Sequence, residues 1–261
     1  MEFITTEKRG HVFWIGLNRP KERNRVHVEM LQELCLAYTM MEDDPEVRCG
    51  VVFAHGKHFT LGLELDSVTE RLRREGRWPV PDSQVNPWDG GFIGRRRSTP
   101  VIVAAQGFCF TLGIELMLAS ELNLATPSTR FAQAEVRLGV FPLGGGTMRW
   151  VQATGRPNGM RYLLTGEPFD ATEAHRLGVV QEIVPADRLL ARAEEFAGMI
   201  AANGPLGVRA VMDSVFQYES EGMTPAARDL EPELVKLLVT ADVAEGVRSF
   251  QEGRQPVFIG K

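Results

Sequence analysis

The segment Phe59-Thr60-Leu61-Gly62-Leu63-Glu64-Leu65 returns 51 residues later as Phe110-Thr111-Leu112-Gly113-Ile114-Glu115-Leu116, identical at six of seven positions. Each copy follows a short apolar run, Gly50 to Ala54 and then Val101 to Ala105, of the kind that forms a strand buried on both faces. A chain that twice carries a buried strand through a glycine turn into an acidic, apolar helix start is directed to a layered α/β architecture. A further strand candidate, Leu122 to Ala125, precedes Phe131-Ala132-Gln133-Ala134-Glu135 in a similar arrangement. The series reads as stacked β-turn-α units.

The rest of the chain fits that layering. Val12 to Leu17 predicts a strand. Leu31, Leu34, Cys35, Tyr38 and Met41 recur at three- and four-residue steps and predict an amphipathic helix over Val28 to Met41. Ala171 to Leu177 reads as a short helix, Val179 to Val184 as a strand and Arg188 to Ala202 as a helix. Asn203-Gly204-Pro205 then interrupts the pattern, and helical periodicity resumes to about Glu252. The chain thus divides into a core, 1–203, and a helical region, 204–261, too small to sustain a core of its own. That region must pack on the body or on another subunit. Asp66 to Thr99, with Arg71, Arg73, Arg74, Arg77, Pro79, Pro81, Pro87, Gly90, Gly91 and Arg95 to Arg97, reads as a partly looped, mobile stretch.

Composition excludes several classes of function. The formal net charge of −5 gives no general electrostatic reason to bind nucleic acid or an anionic membrane. Three cysteines, Cys35, Cys49 and Cys109, form no CxxC pair, so neither a metal site nor a disulfide framework is expected. The charged N-terminus lacks the apolar core of a secretory signal. The apolar run Val101 to Ala119 is interrupted by Gln106, Gly107, Thr111 and Glu115, which favours strand, turn and helix over a membrane span. A cytoplasmic protein without a membrane or nucleic-acid partner is expected.

Two carboxyls stand out. Glu115 lies in the first turns of a helix inside an apolar segment, where burial would raise its pKa toward a value useful to an acid or base. A first-turn glutamate favoured by the helix dipole is the plainer reading. Glu135 precedes Leu138-Gly139-Val140-Phe141-Pro142-Leu143-Gly144-Gly145-Gly146, a glycine-rich shaped loop; a solvated loop carboxylate is its plainer reading. The glycine turns at Leu61 to Leu63 and Leu112 to Gly113 could aim unpaired amides at one carbonyl oxygen, or be ordinary tight turns. His11, His27, His55, His58 and His175 have neither metal-ligand spacing nor a nucleophile partner. The arginine runs read first as solvated faces and second as a phosphate-binding surface.

Taken together, these residues resemble the crotonase family, the enoyl-CoA hydratase/isomerase superfamily. The landmarks fall in family order: Leu17-Asn18-Arg19-Pro20, Phe59 to Leu65, Pro100 to Gly107 leading into Gly113-Ile114-Glu115-Leu116, Phe131 to Glu135, Leu138-Gly139 to Gly146-Thr147, Leu164-Thr165-Gly166, and Ala174-His175-Arg176-Leu177-Gly178-Val179-Val180. The resemblance implies an α/β crotonase-like body of stacked ββα units with a C-terminal helical oligomerisation region, assembled as a homotrimer or dimer of trimers. It implies that the amides of Leu63 and Leu112 form an oxyanion hole for an acyl-CoA thioester. Glu115 and Glu135 match the acidic positions of hydratases, Glu115 ionised to accept a proton from water and Glu135 protonated to supply C2. Arg25, Leu61, Gly62, Gly113 and Phe141 match substrate-binding positions, with Arg25 and one arginine run as candidates for the CoA phosphates. No metal or separate cofactor is expected, coenzyme A being part of the substrate.

The implied activity is hydration of a 2,3-enoyl-CoA in fatty acid metabolism. An isomerase or hydrolase relying chiefly on Glu135, and a non-catalytic acyl-CoA binding protein, are the alternatives. The chain departs from the family in having Thr111-Leu112-Gly113 where a glycine cluster is frequent, Ala134 where proline is common, and Arg25 where a small residue is usual.

Overall fold

Near-continuous β-branched and apolar runs build the main sheet. The computed structural model describes residues 1–78, 80–88 and 94–261; Pro79, Gly90 and Gly91 of the arginine- and glycine-rich stretch lie outside them. The strands are β1 (Ile4–Arg9), β2 (Val12–Leu17), β3 (Cys49–Ala54), β4 (Val101–Ala105), β5 (Phe108–Phe110), β6 (Leu122–Ala125), β7 (Arg130–Ala132), β8 (Phe169–Asp170) and β9 (Glu182–Ile183). Six form one sheet in the order β1-β2-β3-β4-β6-β9. Only β1 and β2 pair antiparallel; the other pairs in this sheet are parallel. Every residue of β2 and β4 is buried, as parallel strands covered on both faces require.

Alternation along β2 sorts side chains to the two faces. Phe13 and Ile15 join Val52, Val101 and Val103 in a core closed by α1 (Val28–Asp43), whose buried stripe includes Leu31, Leu34, Cys35, Tyr38 and Met41. Val12 and Trp14 join Val51, Ile102 and Leu124 in a second core under α7 (Leu189–Ala201), which presents Leu189, Ala193, Ala197 and Ala201 at four-residue steps. The alanines leave no bulk between helix and sheet.

A second, three-stranded sheet, β5-β7-β8, leads through β5 into the second glycine turn and has the first beside it. Thr60 bridges Cys109 of β5 in parallel, so the two repeat copies lie side by side. They differ in where the helix begins: α3 (Leu112–Leu118) starts within its copy, whereas α2 (Leu65–Glu75) starts only at the end of the first. The stretch from Asp66 to Thr99 is therefore helical in its first part, with Arg71 paired to Glu75 one turn on at 2.6 Å. The helices α4 (Gly146–Thr154), α5 (Arg156–Thr165) and α6 (Ala171–Arg176) follow. The strand expected over Val179 to Val184 is confined to β9, because the amides of Val179 and Val180 both donate to the Ala174 carbonyl (3.0 and 3.2 Å) and close α6 instead.

The final helices, α8 (Pro205–Glu221), α9 (Met223–Leu238) and α10 (Ala241–Glu252), sit differently. Within one chain α8 has no buried residue and α9 buries only Ala226. Leu234, Val239 and Phe250 face outward, Phe250 at 88% exposure. The chain end returns to this region: buried Asp242 accepts the amides of Ile259 (2.7 Å) and Gly260 (2.9 Å), and Arg48 spans the carbonyls of Ala201 and Phe258. Among the described residues no helix is long and apolar enough to cross a membrane.

Candidate active site

The first glycine turn is held by a residue that spacing alone did not single out. Asn24 is fully buried in the left-handed region (φ 53°), and its amide nitrogen donates to the carbonyls of His55 (3.0 Å) and His58 (2.8 Å) while its Oδ1 accepts the Arg19 amide (2.7 Å). Thr60 Oγ1 donates to the Asn24 carbonyl (2.6 Å) and accepts the Gly62 amide (3.0 Å). Gly62 then turns at φ 97°, which favours glycine. Beyond it, the Val26 amide donates to the Gly62 carbonyl and the Glu64 amide to the Val26 carbonyl, both at 2.9 Å. Leu63 lies between those two bonds. In the second turn Leu112 opens α3, where helical amides have no intrahelical acceptor. Among the described residues, no acceptor within the chain takes the N–H of either Leu63 or Leu112.

Glu115, three residues further on, is 4% exposed. Its Oε1 accepts the amide of Gly146 at the start of α4 (3.0 Å), where the helix dipole also favours negative charge. The glycine cluster is a matter of close approach: a methyl at Gly146 would stand 2.9 Å from Glu115 Oε1, and one at Gly144 3.2 Å from its carboxyl carbon. Burial, followed by the neighbouring Glu135, pushes the Glu115 pKa up to about 7, against the opposing pull of the Gly146 and Gly144 amides and the Arg149 charge.

Glu135 opens a short 3-10 turn (Glu135–Leu138) and is half-buried. Its Oε1 accepts from Gln133 Nε2 (2.8 Å), and Gln133 Oε1 in turn accepts from the buried Trp150 Nε1 (2.8 Å), so α4 orients this carboxyl through an amide relay. Its Oε2 is buried with no partner among the described residues. Burial also raises the Glu135 pKa.

The other expected positions are spread around this centre. Gly113 is buried under Thr60, whose Cγ2 a methyl there would meet at 2.6 Å, and half-buried Leu61 donates its amide to the Arg23 carbonyl (3.2 Å). Trp88, buried, donates its indole N–H to the Leu112 carbonyl (3.0 Å), and its own carbonyl accepts from Arg149. Arg25 is exposed immediately before the Val26–Leu63 bridge. Phe141 stands 64% exposed on the outer loop, so in the single chain its ring is turned largely to solvent.

The run Arg95 to Arg97 does not present a phosphate-binding face. Arg97 is buried against Glu121 (2.8 and 3.0 Å), Arg95 pairs with Asp43 and Arg96 with Asp213 (2.6 Å). These charges are spent within the fold. Sequence spacing gave no signal for Asn24, Gln133 or Trp150, whose roles depend on non-local carbonyls and amides. The glycine triplet signalled a shaped loop, and its close approach to Glu115 emerges only in the fold.

The family model for enoyl-CoA hydratase/isomerase matches residues 7–261. The chain is 30% identical over 254 residues to enoyl-CoA hydratase EchA19 of Mycobacterium tuberculosis, covering 97% of this chain and 94% of that protein. It is 25% identical to 2,3-dehydroadipyl-CoA hydratase of Escherichia coli, covering 100% of both. A solved structure of a probable enoyl-CoA hydratase/isomerase from Mycobacterium abscessus is similar at a TM-score of 0.95 and 39% identity, covering 100% of this chain and 99% of that one. In sequence over nearly its whole length and in the layering of its sheets and helices, the chain belongs to the enoyl-CoA hydratase/isomerase family and has the crotonase fold.

Proposed function

We propose that the protein is an enoyl-CoA hydratase, a hydro-lyase adding water across C2 and C3 of a 2,3-enoyl-CoA thioester. The observation that carries this reading is the pair of neighbouring carboxyls, buried Glu115 and half-buried Glu135, close to two amides that have no acceptor among the described residues. The Leu63 and Leu112 amides donate to the thioester carbonyl oxygen. As water attacks C3, charge collects on that oxygen, and fixed dipoles stabilise it more strongly than they stabilise the neutral ester.

The atoms balance through the pair. Ionised Glu115 accepts a proton from water as its oxygen bonds to C3, and protonated Glu135 transfers its proton to C2. Addition thus ends with the proton on Glu115, the carboxyl that burial makes harder to ionise. A water spanning both groups returns it, and the unpartnered Glu135 Oε2 is a free site for that water. Like-charge repulsion between the two carboxyls keeps the pair at one proton near neutrality.

Coenzyme A is the handle of the substrate, and exposed Arg25, beside the Val26–Leu63 bridge, is the cation we assign to its phosphates. The outward apolar residues of α8, α9 and α10 support assembly into a homotrimer or a dimer of trimers. Product analysis with a short 2-enoyl-CoA tests the reading. Formation of 3-hydroxyacyl-CoA is expected, whereas a shifted double bond, or free CoA thiol, would assign the site to isomerisation or hydrolysis.

A further inference from the structure

The two copies of Phe-Thr-Leu-Gly grip each other reciprocally. Thr60 of the first copy lies over Gly113 of the second, and Thr111 of the second lies over Gly62 of the first: a methyl added to Gly62 would collide with Thr111 Oγ1 and stand 3.3 Å from its Cβ. The strands beneath are locked in register by the Thr60 amide to the Phe108 carbonyl (2.9 Å) and the Phe110 amide to the Thr60 carbonyl (3.0 Å). The halves of the contact are unequal in one respect. Thr111 holds φ 50° and ψ −113°, a backbone region that a β-branched residue enters only under strain. Its amide, bonded to the Ala132 carbonyl (2.9 Å), and its carbonyl, accepting from Ile114 and Glu115, fix that conformation.

The position of this contact matters because Gly62 and Thr111 each immediately precede one of the two amides without acceptors, Leu63 and Leu112. We propose that Thr111 is a positioning residue whose side chain, seated on Gly62, sets the separation of the two amides that hold the thioester oxygen. The proposal rests on the hydratase reading and adds what determines the spacing of its donors. A glycine at position 111 would relieve the strain while removing the only side chain of this residue that can touch Gly62, so stability and donor spacing respond in opposite directions. This opposition separates positioning from a merely structural role.

The test compares wild type, Thr111→Gly and Thr111→Ser in the full-length protein. The readouts are kcat, KM, melting temperature, and the absorption shift of a chromophoric aryl-enoyl-CoA, which moves to longer wavelength when its carbonyl is polarised. For Thr111→Gly we expect a melting temperature no lower than wild type, kcat reduced by about tenfold or more, as when an oxyanion donor is misplaced, little change in KM, and a smaller absorption shift. Thr111→Ser, which keeps Oγ1 and Cβ, should retain the shift and most of kcat. A Thr111→Gly protein with wild-type kcat and shift overturns the proposal, as does a loss of activity that only parallels a loss of melting temperature. A wild-type protein that neither hydrates nor shifts the probe would instead remove the hydratase reading, and this inference with it.

Discussion

A carboxyl buried as deeply as that of Glu115 is a liability to folding whenever it is ionised. Its pKa stands near 7 in the folded chain against 4.5 ordinarily, so between those values the folded state binds more protons than the unfolded one. Stability contributed by the neutral acid is full below about pH 4.5 and is lost as pH rises through 7. At pH 8 the folded chain therefore carries a buried charge whose cost is several kcal/mol at most, on the order of 1.4 kcal/mol for each tenfold change in proton affinity. Glu115→Gln removes the ionisation but keeps an oxygen for the Gly146 amide. The variant should gain on wild type in urea unfolding as pH is raised from 5 to 8; parallel pH dependences for the two proteins would show that Glu115 carries no such burden.

At the scale of elements, the site is a meeting of chain segments that no single window of sequence contains. The periodicity of α1, the Val/Ile runs of β3 and β4 and the helical character of the C-terminal region were legible because each is a local pattern. The repeat exposed both glycine turns and Glu115. Strand β1 was hidden by its charged edge residues, and the shortening of β9 was decided by the Ala174 carbonyl, a tertiary choice. Asn24 was illegible for the same reason, since its acceptors lie 31 and 34 residues away. Asn24→Ala leaves the His55 and His58 carbonyls unpaired and puts alanine at positive φ, so it should cost about 3 kcal/mol or more, from roughly 1–3 per orphaned group. An unchanged urea midpoint would contradict this. Gly146→Ala makes the complementary test from α4: its methyl displaces the Glu115 carboxyl and should depress turnover by an order of magnitude or more, whereas full activity would mean that the Gly144 to Gly146 approach is unimportant.

For the whole molecule, two well-filled cores flank the main sheet, while α8, α9 and α10 leave Leu234, Val239 and Phe250 uncovered. Apolar exposure of this kind is costly for a free monomer and is relieved when copies associate. Sedimentation should give a mass that is a multiple of 29.0 kDa, and Leu234→Glu combined with Phe250→Glu should lower it. A wild-type monomer at micromolar concentration would contradict the expected assembly. Hydration requires a water held between the glutamates, and incorporation of ¹⁸O from labelled water at C3 of a 2-enoyl-CoA by wild type, Glu115→Gln and Glu135→Gln reads that water out. One labelled oxygen per turnover is expected in wild type, with rates lower by about 10²–10⁴-fold in both variants. Unlabelled product, or either variant turning over at the wild-type rate, would contradict this role for the water.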